Sequence, residues 1–183
     1  MTVADARREK RIVEVVQCYS QQLWAYIRAR VRSDDDAADI QQEVWLQLTR
    51  MTDLDLIERI SAWLYTIAGN RIVDYHRKKR AHSASELDIG DDDADEPVEA
   101  SLFVELKTPE DEMERRRFWD ELSGALAELP EPQRQAFIWN EIEGRTFREI
   151  AEVSGENIKT LISRKRYAVN FLRKRLESFR GDQ

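Results

Sequence analysis

The chain has 183 residues, 42% of them hydrophobic and 36% charged, with a net charge of −7. The single cysteine, Cys18, excludes an intramolecular disulfide and a zinc site built on cysteines. No apolar run reaches the length of a membrane span, and charge stands where a signal peptide needs an apolar core, so the chain is expected in the cytoplasm.

The charge is segregated. Residues 1–80 carry 14 basic and 12 acidic side chains, residues 81–114 carry 1 and 13, and residues 115–183 carry 14 and 11. Two mildly basic ends therefore flank a strongly acidic middle, and the acidic whole does not argue against a polyanionic partner. Four prolines and six glycines leave little material for a turn-rich β protein.

From the N-terminus, Ile12, Val15, Val16, Tyr19, Leu23, Tyr26, Ile27 and Val31 keep helical spacing from about Arg7 to Arg32. Asp34-Asp35-Asp36 caps a second helix, with Ile40, Val44, Leu48 and Met51 on one face. A third runs from about Arg59 to Arg80 on Ile60, Trp63, Leu64, Ile67, Ala68 and Tyr75, and ends in Arg77-Lys78-Lys79-Arg80. From Ala81 to about Thr108 there is no helical period, and the aspartates and glutamates repel one another, so this stretch reads as a flexible linker.

The C-terminal part starts near Pro109, with a helix near Arg115–Leu129, a break at Pro130-Glu131-Pro132 and a helix to about Glu143. Thr146 and Glu149 form a T-x-x-E capping box opening a short helix with Phe147, Ile150 and Ala151 on one face. Ser154-Gly155 stops it, and Asn157 caps the next helix. The apolar row of that helix is Ile158, Leu161, Ala168, Leu172, Leu176 and Phe179, and Lys165 interrupts it. Two capped helices about a glycine turn, the second basic, make a helix-turn-helix. Trp24, Trp45, Trp119 and Trp139 read as core. The fold class is therefore all-α: two small helical domains, 1–80 and 109–183, joined by an acidic linker at 81–108.

Three blocks resemble the bacterial sigma factors of the extracytoplasmic-function type. Residues Asp36 to Trp45 (DAADIQQEVW) are similar to the family's polymerase-binding segment, although Ala38 stands where an acidic residue is common. Residues Ala62 to Lys78 look like the helix that opens and reads the −10 promoter element. Leu129-Pro130, Arg134, Glu143-Gly144 and the helix-turn-helix look like the domain that reads the −35 element; Lys159 and Ile162 depart from the usual residues there. The resemblance implies core RNA polymerase and promoter DNA as partners, with an anti-sigma factor as a family-level expectation.

The residue chemistry suits these roles. Asp36, Asp39, Gln42 and Glu43 offer acidic and amide groups to a basic polymerase surface. Asn70, Arg71, Asp74, Arg77 and Lys78 recur at spacings of three and four; with Trp63, Tyr75 and Tyr65 they suit an unstacked base and its phosphates. Arg148, Lys159, Thr160, Ser163, Arg164 and Arg166 are types that bond phosphates and base edges in the major groove. His76 and His82 have no further ligands at metal spacing, and no nucleophile–base pair or phosphate-binding glycine loop is visible, so no enzyme, metal or cofactor is expected. The residues alone leave open a stand-alone helix-turn-helix regulator that binds DNA without polymerase, and a helical adaptor that only sequesters a partner. The acidic run reads equally as a tether or as an RNA mimic in the polymerase channel.

Overall fold

The computed structural model describes residues 3–51, 60–83, 102 and 112–179, and every element among them is helical. The acidic run Asp91, Asp92, Asp93 and Asp95 lies outside the described residues.

The N-terminal domain is three helices: α1 (Val3–Arg28), α2 (Asp34–Arg50) and α3 (Ile60–Ser83). Helix α1 stops one turn earlier than the apolar row suggests. Its last bonds tighten from Ala29 N–H to Ala25 O into Arg30 N–H to Ile27 O, which bends the chain away. Val31 is buried all the same, as the first residue beyond the bend. The cap of α2 is Ser33 rather than the aspartates: its hydroxyl accepts the Asp36 N–H at 3.1 Å. The three aspartates instead fill the first turn, where the helix dipole favours negative charge. Ala37, Ile40, Val44 and Leu48 of α2 are buried, as are Ile60, Leu64, Ala68 and Ile72 of α3. Gln41 Nε2 donates to Ser20 O at 2.7 Å and ties α2 to α1.

The C-terminal domain is α4 (Glu112–Glu128), α5 (Glu131–Phe137), α6 (Phe147–Ser154) and α7 (Ile158–Arg175), closed by a 3-10 turn at Glu177–Phe179. Pro130 precedes α5 and Pro132 sits in its first turn, where a missing N–H costs nothing. From Ile138 to Ile142 the helix widens into a π turn. Thr146 and Glu149 make both bonds of the capping box, 3.2 Å and 2.8 Å. Gly155 takes φ 71°, a left-handed conformation that costs a side chain with a Cβ about 1–2 kcal/mol. Asn157 Oδ1 accepts the Lys159 N–H at 2.8 Å and starts α7.

The two helical domains do not stand apart. One apolar cluster takes Leu23, Tyr26 and Ile27 from α1 together with Phe137, Leu172 and Leu176 from the C-terminal domain. Leu102, within the stretch read as linker, is 1% exposed in the same cluster. Trp119, expected in the core, is instead 38% exposed on α4, with its ring against Phe118.

Candidate nucleic-acid interface

Helix α7 presents Lys159, Thr160, Ser163 and Arg166 on one exposed stripe, continued by Tyr167, Asn170 and Lys174. The opposite side, Leu161, Ala168, Val169 and Leu172, is buried. Arg148 is exposed on α6. Arg164 behaves differently: it is half-buried and pairs with Glu156 at 3.0 Å, so its guanidinium is turned to the start of its own helix. Phe147, Ile150 and Leu161 form a small core under the turn, which fixes the angle between α6 and α7.

Lys165 is where the apolar row breaks, and it is 3% exposed. Its Nζ lies 2.8 Å from Glu141, which is 1% exposed and sits on the π turn. The ammonium also lies 5.6 Å from the centre of the Phe147 ring. The interruption is thus an internal ion pair supporting α7 from behind.

Helix α3 shows a second exposed stripe: Thr66, Asn70, Val73 and Arg77, with Lys78 beside it. Asp74 is half-buried and accepts from Arg77 at 2.9 Å. Trp63 is half-buried against the core. Tyr75 donates its hydroxyl hydrogen to Asp36 at 2.9 Å and lies under the Lys79 ammonium, so its ring is held at the edge of the stripe. Tyr65 does not join it. Its ring is 2% exposed, edge-on to Tyr26 at 4.9 Å, and burial pushes its hydroxyl well above the usual phenol range, with Glu141 adding to the effect. His76 is no surface group either: its Nε2 lies 2.8 Å from Arg30 O and docks α3 on the end of α1.

On α2, Asp39, Gln42 and Glu43 are exposed and continue into Leu46, which is 49% exposed. Asp36 is half-buried, its carboxylate taken up by Ser33 and Tyr75. Glu43 pairs with Arg71 across the α2–α3 groove at 3.2 Å. Two residues read as belonging to different contacts are therefore joined.

The exposed Val73, Leu46 and Tyr167 carry no mark in the sequence that sets them apart from core residues. Their signal is an apolar or aromatic side chain placed three or four residues from polar ones on an otherwise solvated face, a pattern visible only when each helix phase is known. Among the described residues no group of His, Cys, Asp and Glu could hold a metal ion, and no helix is long and apolar enough to cross a membrane.

Comparison with known proteins meets this geometry at both ends. Residues 15–82 match the family model for sigma-70 region 2, and residues 119–168 match that for sigma-70, region 4. The chain is 28% identical over 178 residues to an ECF RNA polymerase sigma factor of Cereibacter sphaeroides, covering 95% of this chain and 91% of that one. It is 24% identical over 165 residues to an ECF RNA polymerase sigma factor of Bacillus subtilis, covering 88% and 94%. A mycobacterial ECF sigma factor (Mycobacterium sp.) is 34% identical over 114 residues, covering 61% and 54%. A stand-alone helix-turn-helix regulator is not favoured, because the N-terminal domain matches a sigma region in its own right. Carrying regions 2 and 4 in order and aligning with these relatives over nearly its whole length, the chain belongs to the sigma-70 family, as an RNA polymerase sigma factor of the extracytoplasmic-function type.

Proposed function

We propose that the sigma activity is divided among the three exposed stripes. The face of α2 carrying Asp39, Gln42, Glu43 and Leu46 binds core polymerase, a mixed acidic and apolar patch suited to a basic surface. The stripe of α3 at Asn70, Val73 and Arg77, flanked by Trp63, Asp74, Tyr75 and Lys78, captures an unstacked base of the −10 element. Arg71 acts there while paired to Glu43, so polymerase contact and strand capture are mechanically linked. The α7 stripe of Lys159, Thr160, Ser163 and Arg166 enters the major groove at −35, with Arg148 on the flanking phosphates. Arg164 contributes once its pair with Glu156 opens. The single observation that carries this reading is that each stripe is exposed along one side of a helix whose other side is core. Opening the duplex costs a few kcal/mol per unstacked base and is driven by binding the opened strand. Nothing in this sequence of events makes or breaks a covalent bond, and it takes place in the cytoplasm.

The division is tested by promoter footprinting with holoenzyme. Lys159→Ala and Arg166→Ala are expected to weaken promoter binding by about 1–2 kcal/mol each, roughly five- to thirtyfold. Asn70→Ala with Arg77→Ala should leave −35 protection in place and abolish permanganate reactivity of −10 thymines. Variants of α3 that lose −35 protection and still open the duplex would contradict the assignment.

A further inference from the structure

Helix α7 rests on two separate apolar clusters. Its inner residue Leu161 belongs to the smaller one, with Phe147 and Ile150. Ala168, Val169 and Leu172 belong to the larger one. Lys165 stands on the same buried side between them. The half of the helix that carries Lys159, Thr160, Ser163 and Arg166 therefore sits on the smaller cluster. It is also held by the Lys165 ammonium, 2.8 Å from Glu141 and 5.6 Å from the centre of the Phe147 ring.

Glu141 is a fixed anchor for that ammonium. It lies on the π turn Ile138–Ile142, where one extra residue enters the helical turn. The exit of the turn is tied back on itself: Glu143 N–H donates to Ile138 O and Arg145 N–H to Trp139 O, both at 2.9 Å. The Asn140 side-chain amide donates to Arg145 O at 2.9 Å, next to the Thr146 cap of α6. Neighbouring residues of one π turn thus hold both helices of the helix-turn-helix, Asn140 the start of α6 and Glu141 the back of α7. Arg30 of α1 lies 3.7 Å from the same carboxylate.

We infer that Lys165 and Glu141 are positioning residues for −35 selectivity, the pair setting the rotation of α7 about its own axis. The inference rests on the promoter reading of α7 given above. At about 100° per residue, Lys165 lies about 160° around the helix from Ser163, so it fixes the roll from the side opposite the exposed stripe. Side-chain ends lie about 6 Å from the helix axis, so a roll of about 15° moves them by about 1.5 Å. Hydrogen bonds to base edges occupy a distance window of only about 0.5 Å, and such a shift breaks them. Phosphate contacts from flexible cations tolerate it, because a point charge on a long stem is not tied to one geometry.

Stability alone does not account for the pair. Apolar residues of similar volume commonly match or exceed a buried ion pair, because desolvation offsets its attraction. Apolar contact is also non-directional. A methionine facing a leucine would fill the same space and let α7 turn, whereas an ammonium against a fixed carboxylate holds one angle.

The test is a double variant of the full chain in holoenzyme, Lys165→Met with Glu141→Leu. Arg30 has a second partner in Tyr26 O, at 2.9 Å. Affinity is measured for promoter DNA with its own −35 bases and with those bases replaced, at several salt concentrations, beside the urea unfolding midpoint. Wild type is expected to prefer its own −35 bases. The double variant should unfold at or above the wild-type midpoint and lose about tenfold of that preference. Its affinity for the replaced DNA, and the salt dependence of that affinity, should be unchanged. Leu122→Ala, a cavity in the larger cluster, should lower the midpoint and keep the preference. A double variant with wild-type preference would overturn the positioning role. So would an equal loss in Leu122→Ala, or a double variant less stable than wild type, since either makes the role of the pair one of stability. A wild-type holoenzyme indifferent to its −35 bases would overturn the reading of α7 itself, and the positioning role with it.

Discussion

Lys165→Ala is expected to destabilise the C-terminal domain by about 3 kcal/mol, the low end of what removing one partner of a buried pair costs. The loss comes from Glu141, not from the lysine. The carboxylate is 1% exposed, and with the ammonium at 2.8 Å gone it faces Arg30 at the longer distance of 3.7 Å. Against a total stability of about 5–15 kcal/mol this is a large fraction. Replacing both partners, as Lys165→Met with Glu141→Leu, should land near wild type or above it, because two desolvation penalties vanish together. Urea unfolding followed by circular dichroism distinguishes these outcomes. A single variant within about 0.5 kcal/mol of wild type would mean that the pair is not buried in solution.

Charge reversal on α2 should affect association and leave folding alone. Asp39→Lys with Gln42→Lys is expected to weaken binding to core polymerase by about 3 kcal/mol, a little over a hundredfold. Both positions are exposed, and the Glu43–Arg71 pair is left intact. Helix content and unfolding midpoint should therefore be unchanged. The same reversal at Glu152 on α6, also exposed but away from this face, serves as the comparison and should leave affinity alone. Fluorescence anisotropy with labelled chain and core polymerase gives both affinities.

Much of the fold follows from local chemistry. The capping box at Thr146 and Glu149, the left-handed Gly155 and the Asn157 cap are decided by residues within four positions of one another. The same locality makes the exposed stripe of α7 readable as soon as its start is known. The break in its apolar row at Lys165 was visible, but its meaning was not, because Glu141 is supplied by a different helix. The bond between Arg28 and Glu149 joins residues 121 positions apart, and two ordinary charged residues carry no sign of each other in sequence. Tyr65 misled for a related reason. An aromatic beside polar residues suits a base, yet Tyr65 falls on the side of α3 that faces Tyr26. Three aspartates follow Ser33 and draw the eye as caps, but the turn geometry brings the Ser33 hydroxyl to the N–H of Asp36, three residues on. Long-range pairing and helix phase, not propensity, set the limit of what could be read.

As a sigma factor, this chain directs core polymerase to its promoters. Run-off transcription with core polymerase, the purified chain and DNA from the same organism measures that directly. Transcripts with discrete start sites are expected only when the chain is added. Absence of any transcript, together with tight sequence-specific DNA binding by the chain alone, would contradict it.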